Sequence, residues 1–287
     1  MSDIQNNYKK YHSHITSTHK MFDLKLKETW QYRDLIWLLT KRSFVIRYKQ
    51  TILGPAWLFI SPILTSIVFT FVFGGIANMS TDGVPHILFY LSGTALWSYF
   101  SACLTQNANT FTANAGVFGK VYFPRLTTPI SNVLGSVIQF GIQMVLVVVF
   151  LVIYTVKGDV QPNWIGLLWI PVILLHVGVM GMGLGLIISS LTTKYRDLSM
   201  LVGFGVSLWM YATPVVYPLS QPQAEWMIIL IMINPVTMPM ELFKSSILGK
   251  GTIDPIFMTI SVVFTVVVAI LGIMVFNKVE RTFMDTV

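Results

Sequence analysis

Four neutral polar side chains, Asn132, Ser136, Gln139 and Gln143, recur at steps of four, three and four within an otherwise apolar run. That spacing puts all four on one face of a helix. They can donate and accept hydrogen bonds but cannot move protons at neutral pH or hold a metal. Such a stripe has two uses in an apolar medium: it hydrogen-bonds neighbouring helices, or it walls a passage for hydroxyl-rich cargo. Aromatic residues that could supply stacking faces beside it are Trp57, Phe59, Trp97, Tyr99, Trp209, Tyr211 and Tyr217. Several of these are expected instead in the interfacial aromatic belts. A second feature is the stretch GKVYFPRLTTP, residues 119–129, which packs Lys120, Val121, Tyr122, Phe123, Pro124 and Arg125 between two apolar runs. A plain re-entry loop does not need that aromatic surface. A third is the cationic cluster Arg47, Tyr48 and Lys49, suited to an anionic headgroup or pyrophosphate.

Groups that make or break bonds are missing. There are no paired carboxylates for acid–base work, no metal triad and no G-x-x-x-x-G-K-[ST] phosphate loop. Cys103 is the single cysteine, so no intrachain disulfide can form. No metal and no cofactor is expected in this chain. His176 lies well inside an apolar run and reads either as a hydrogen-bonded helix residue or as a proton carrier.

The elements that position these residues follow from composition. Hydrophobic residues make up 54% of the chain and charged residues only 11%, with mean hydropathy +0.68. A soluble domain carries about 25% charged residues, so the bilayer is the expected solvent. The net charge of +7 then reflects loops facing anionic lipid rather than nucleic acid. Residues 1–27 have no apolar h-region, so no cleaved signal peptide is expected there. They read as a polar cytoplasmic tail.

Crossing the hydrocarbon takes about 20 apolar residues as a helix. Runs at about 56–76, 87–104, 130–156, 165–191, 198–216 and 256–276 predict six spans, none containing Asp, Glu, Lys or Arg. The fold class is therefore an all-α integral membrane protein. Placing the N-terminus inside puts sixteen of the nineteen lysines and arginines on the cytoplasmic side. Both termini are expected there.

Two segments are neither span nor loop. Residues 28–50 combine Leu35, Leu38, Leu39, Val45 and Ile46 on roughly one helical face with Lys41, Arg42, Arg47 and Lys49. That pattern predicts an amphipathic helix in the cytoplasmic interface. It serves as a topology anchor, or Arg47, Tyr48 and Lys49 also form an entrance for an anionic lipid-linked substrate. Residues 219–250 hold two short apolar segments broken at Asn234-Pro235. They predict a re-entrant outer hairpin or, failing that, an ordinary outer loop with surface helices. In the fourth run, Gly181 and Gly185 make a small-xxx-small pair for close helix packing.

Several motifs together resemble one family. RYKQTILGPAWLFISP (47–62), GKVYFPRLTTPIS (119–131), KYRDL (194–198), ATPVVYP (212–218) and NPVTMPMELFK (234–244) resemble, in order and in topology, the permeases of type-2 ABC exporters for bacterial polysaccharides. That family includes the O-antigen, capsule and teichoic acid exporters. The likeness runs from about Arg33 to the C-terminus, covering most of 28–287. It implies a homodimer in the bacterial inner membrane with two copies of a separate cytoplasmic ATPase, which would hold ATP and Mg. It implies a lipid-linked glycan as cargo, moving through a channel at the dimer interface past Trp57, Phe59, Asn132, Ser136, Gln139, Gln143, Trp209, Tyr211 and Tyr217. Residues 116–128 become the coupling segment, with Val121 to Pro124 as a knob for the ATPase and Lys120 and Arg125 holding it at the membrane surface. The other readings are a simpler lipid exporter of the same class and, from another class, a membrane enzyme acting on polyprenyl-linked sugars.

Overall fold

The computed structural model describes residues 26–49, 54–118, 123–193, 195, 197–221 and 224–284. All regular structure among them is helical. Two helices come first, α1 (Leu26–Gln31) and α2 (Arg33–Lys49). Next is α3 (Trp57–Phe69), which runs on as a wider π-helical turn, Thr70–Ile76. The following helices are α4 (His86–Ala108), the short α5 (Thr110–Phe118) and α6 (Thr127–Val156). A 3-10 turn (Gly166–Trp169) leads into α7 (Ile170–Thr192). Last come α8 (Leu198–Trp209), the bent pair α9 (Glu225–Ile233) and α10 (Thr237–Leu248), and α11 (Pro255–Met284).

Five of these are long and apolar enough to cross a bilayer: 57–76, 86–108, 127–156, 166–192 and 255–279. The protein is an all-helical, multi-pass membrane protein. The expected fifth span differs from its predicted bounds. Helical structure there ends at Ala212, because Pro214 pushes the preceding residue out of the helical region and Thr213 is extended (φ −115°, ψ 145°). Leu198–Ala212 is therefore about 22 Å long at 1.5 Å per residue, and Val215 and Val216 sit buried in the turn beyond it.

Helix α4 is the most deeply buried span, and α7 is what binds it. A Cβ on Gly185 would lie 2.6 Å from the Leu104 carbonyl oxygen, and one on Gly181 would lie 2.8 Å from the Cys103 Cβ. On the opposite face of α7, a Cβ on Gly183 would stand 2.9 Å from the Val268 carbonyl oxygen of α11. Glycine on both faces lets α7 press backbone to backbone between its two neighbours. With no hydrophobic effect between helices in lipid, close van der Waals contact of this kind is the main source of cohesion.

Helix α2 lies against α6 through Ile36 and Thr40, both buried; the Thr40 hydroxyl reaches the carbonyls of Ile36 (2.8 Å) and Ser131 (3.3 Å). The packed face differs from the expected one. Leu38, Val45 and Ile46 are exposed, as is Trp37, while Leu35 and Leu39 are half-buried and Leu35 packs against the cluster of Phe111 and Phe118, so the apolar residues the pattern grouped together are divided between the bundle and its outside.

Gly185→Ala should lower the thermal midpoint of the detergent-solubilised chain, as overpacking by a methyl group does at a cost of about 1–3 kcal/mol. Gly141→Ala, where a Cβ meets nothing within 4 Å, should leave the midpoint unchanged. Equal melting of the two variants would refute the close-packing account.

Candidate transport cleft

The polar stripe of α6 divides into two halves. Towards its start, Asn132 Nδ2 donates to Asn107 Oδ1 (3.2 Å) and to the Gln106 carbonyl (3.4 Å) on α4. Gln106 Nε2 donates in turn to the Ser136 hydroxyl (3.2 Å), which donates to the Asn132 carbonyl (2.9 Å). This is a helix-to-helix polar ladder. One turn further on, Gln139 and Gln143 leave the ladder and face a cleft of about 310 Å³. Its other walls are Trp57, Ser61 and Thr65 of α3, Thr94, Trp97 and Ser98 of α4, and Met210.

Gln143 is only 5% exposed, yet its Oε1 has no hydrogen-bond partner. A buried unpaired carbonyl oxygen carries a desolvation cost of about 1–3 kcal/mol. Thr94, by contrast, is satisfied by its own helix, donating to the Tyr90 carbonyl at 2.7 Å. The cleft therefore presents amides, hydroxyls and two indoles, with no ionic side chain on its wall.

The expected aromatic lining is only partly present. Trp57 lines the cleft and is half exposed. Phe59 is partly buried and is not part of the wall. Trp209 packs edge-on against Phe100 (5.3 Å between ring centres) and Trp97 (6.4 Å), and its indole N–H donates to Asn234 Oδ1 (3.1 Å). It supports the wall from behind. Tyr211 and Tyr217 line a separate pocket of about 350 Å³ under α9, with the Tyr217 hydroxyl donating to the Tyr211 carbonyl (3.3 Å). Burial, with the Glu241 carboxylate nearby, pushes the Tyr217 hydroxyl up to about 12, so it remains a neutral donor. Tyr99 is buried and donates to the Leu174 carbonyl of α7 (3.0 Å). His176 Nε2 lies 2.9 Å from the Thr265 hydroxyl and 3.2 Å from that of Ser261, a hydrogen-bonded helix residue.

At the opposite end of the bundle, Lys120, Val121 and Tyr122 lie outside the described residues. Phe123 and Arg125 do not point outward; each is 7% exposed. Phe123 sits 5.8 Å from Phe118, and the Arg125 guanidinium lies 5.3 Å over that same ring. Phe111 and Phe276 stack beside them at 4.6 Å, joining α5 to α11. A solvent-facing Phe123 would leave this aromatic cluster short of a wall, so its place in the knob passes to an anchoring role. Pro124 is half buried, with its carbonyl accepting from the Thr127 N–H (3.0 Å). Arg47, Tyr48 and Lys49 form the last turn of α2, and their side chains lie outside the described residues.

One cluster escapes a reading by hydropathy. Lys244 and Glu241, one turn apart on α10, are 1% and 2% exposed. The signal was an i, i+3 pair of opposite charges inside a half-apolar segment. Among the described residues no metal-holding cluster forms.

Comparison with known proteins finds a match to the ABC-2 type transporter family over residues 34–248. The chain is 28% identical to an O-antigen export system permease protein RfbA of Klebsiella pneumoniae over 269 residues, covering 91% of this chain and 98% of that one. A second such protein from the same organism is 28% identical over 254 residues, 88% and 94% of the two chains. The corresponding protein of Myxococcus xanthus is 30% identical over 200 residues, 70% and 74%.

Replacing Gln143 by the similarly sized Met should leave the thermal midpoint unchanged or raise it, since the unpaired oxygen is removed. Asn132→Leu breaks the ladder and should cost about 0.6 kcal/mol, the usual size of such a bond in a membrane bundle. A Gln143→Met variant that melts clearly lower would show that the glutamine is a structural bond donor after all.

Proposed function

The chain belongs to the ABC-2 type transporter family, and from that premise we propose that it is the membrane subunit of an ATP-driven exporter of lipid-linked polysaccharide. Its cargo is an O-antigen-like or capsule-like glycan, moved outward across the bacterial inner membrane. The observation that carries this reading is the cleft: a wall of amides, hydroxyls and indoles with a buried Gln143 oxygen awaiting a donor. Sugars supply hydroxyl donors and apolar ring faces, and they need no counter-charge. The naming of three relatives as O-antigen export permeases supports the same cargo class. Apart from Lys278 at the very end of the last one, the five long spans carry no Asp, Glu, Lys or Arg, the groups that ion-coupled carriers keep in the membrane.

Work then has to come from outside the chain. ATP and Mg²⁺ belong to two copies of a separate cytoplasmic ATPase, docked at residues 116–128. Lys120, Val121 and Tyr122 supply the outward contact, and Phe123 and Arg125 hold the segment against Phe118. Movement of that segment reaches α11 through the Phe111–Phe276 stack. Both termini lie in the cytoplasm in this reading, which the distribution of lysine and arginine supports. The entrance is cytoplasmic, with Arg47, Tyr48 and Lys49 receiving the anionic lipid pyrophosphate.

The passage is completed by a second copy of the chain. Helix α8 exposes Met200 (82%), Leu201 (61%) and Phe204 (65%). Gly203 and Gly205 on the same helix have open space where a side chain would be. Small residues on an unpacked membrane helix are what close helix association needs.

Gentle solubilisation of the tagged chain should co-purify an ATP-binding subunit. Tyr122→Ala should cut its recovery by about tenfold, the effect of losing an interface hot spot. Failure to recover any such subunit across several mild detergents would overturn the exporter reading. Charge reversal at Arg47 and Lys49 should lower export of the glycan while leaving the ATPase bound; release of the ATPase instead would reassign that turn to docking.

A further inference from the structure

We propose that the cavity between α9 and the end of α8 holds a lipid: an acyl chain of a bilayer phospholipid, with the glycerol and headgroup of that molecule against the polar side chains of its wall. The proposal rests on the membrane character of the chain and not on what the cleft carries.

The two arms of the bent pair meet at 90° and pack very differently. Helix α10 is buried along nearly its whole length. Its Lys244 ammonium donates to the Pro214 carbonyl and stands 3.9 Å from the centre of the Phe89 ring. Helix α9 has no buried residue, although eight of its nine residues are apolar. Trp226, Ile229, Leu230 and Ile233 are each more than half exposed. A helix apolar on all sides belongs in a protein core or in hydrocarbon. This one lies in no core, so acyl chains surround it and reach whatever opens beside it.

The cavity beside it has a volume of about 350 Å³, within the range of about 300–1,000 Å³ typical of ligand sites. Met79, Ala212, Met227, Leu230 and Ile231 supply the apolar part of its wall. Their side chains offer water none of the polar partners that an ordered buried molecule needs. Left empty, the same wall would forfeit its dispersion contacts. A flexible methylene chain meets both conditions. No ionic side chain lines the cavity, which suits a hydrocarbon guest rather than a free anion.

The polar side chains of the wall fit the other end of a phospholipid. The Trp226 indole N–H has no hydrogen-bond partner among the described residues and is a donor for an ester or phosphate oxygen, at the depth that tryptophan favours. Gln221 Nε2 donates to the Ser80 carbonyl (3.4 Å), which leaves its Oε1 to accept from a headgroup. The Tyr217 hydroxyl, donating to the Tyr211 carbonyl (3.3 Å), keeps an acceptor in the same way. The site is preformed on its α8 side. Asn234 Nδ2 donates to the Ala212 carbonyl (3.0 Å) and the Thr213 hydroxyl (2.9 Å). Its Oδ1 accepts from the Trp209 indole (3.1 Å) and the Val236 N–H (3.1 Å). On the other side, α9 gains from the lipid the contacts that its own chain does not give it. The aromatic rings alone would also suit a sugar, but the sulfur and aliphatic wall leaves sugar hydroxyls without partners.

The test is photolabelling of the full chain in nanodiscs of phosphatidylcholine that carries a diazirine near the end of one acyl chain, read by peptide mass spectrometry. Peptides holding Met79, Ala212 or 226–231 should carry the label several-fold more often than 145–152 of α6, an exposed face that reports ordinary contact with lipid. Ala212→Phe, which fills the cavity, should bring the excess down to the α6 level and leave the labelling of α6 unchanged. Leu230→Trp fills it from α9 at an exposed position, and decides by the same criterion if the first variant does not fold. Labelling at the α6 level in the natural chain, or an excess that both substitutions leave intact, overturns the proposal. Loss of the excess on adding maltotriose before irradiation would give the rings to a sugar and overturn it as well. So would a Leu230→Cys chain that forms disulfide-linked pairs in the same bilayer, since the cavity would then belong to a second copy. These nanodiscs contain no cargo lipid, and the exporter reading is judged separately by the ATPase pull-down.

Discussion

The bundle depends on how closely α7 approaches its neighbours. Gly181 and Gly185 let the backbone of α7 meet that of α4, and Gly183 does the same with α11, where Gly272 faces it. In water a helix would be drawn to the core by its apolar face, whatever its size. In lipid that force is absent, and contact area at short range has to replace it. The three helices so joined carry the rest. Helix α4 forms the back wall of the cleft and the seat for the outer turn at Gly93. Helix α7 supplies the Leu174 carbonyl that Tyr99 needs. Helix α11 receives the aromatic cluster at one end of the bundle through Phe276. Helices α8 and α9 lie outside this triad and expose large apolar faces, as α3, α6 and the far side of α11 also do.

A second constraint is that polar groups away from water must find partners or mark a place where a partner arrives. Asn132, Ser136, Gln106 and Asn107 pair among themselves. The Ser261 hydroxyl donates to the Pro235 carbonyl, and His176 meets Thr265. Seven buried side-chain oxygens among the described residues have no partner, and the Gln143 oxygen is the one of them that belongs to the cleft wall. It sits on the same helical face as the ladder, one step beyond Gln139, and its neighbours across the cleft are indoles and hydroxyls. A chain that needed only cohesion could carry leucine there at no cost.

Much of this was legible in the residues because membrane helices obey simple rules. Apolar run length placed the long spans to within a few residues, since hydrocarbon thickness sets that length. The steps of four, three and four put the α6 polar groups on one face. What hydropathy cannot convey is what a side chain meets across the bundle. The stripe looked uniform, yet Asn132 and Ser136 face α4 while Gln143 faces the cleft. Trp209 and Tyr211, two residues apart, ended in different surroundings. Phe123 read as outward because its neighbours are bulky, but the ring of Phe118 and the Arg125 guanidinium claimed it. Lys244 counted as an outer-loop cation, and its burial depends on Phe89 and Pro214, residues far away in the chain. Leu38, Val45 and Ile46 on α2 shared a face, as the period requires, but the face that packs is the one holding Ile36 and Thr40.

These placements also bear on how one chain can be both sealed and open. A passage for a hydrated, uncharged polymer needs a wall that binds weakly and everywhere, which amides and indoles provide without holding the cargo in one site. The same weakness means the wall cannot seal itself. Closure has to come from elements with definite, saturated contacts. In this chain those contacts gather at the two ends of the bundle, with the aromatic cluster of Phe111, Phe118, Phe123 and Phe276 at one end. At the other stand the bonds of Asn234 and Lys244. Between them lies the cleft, bordered by the unpacked face of α8. A weakly binding middle between two firmly bonded ends is a distribution of contact strength that suits the exporter proposed above.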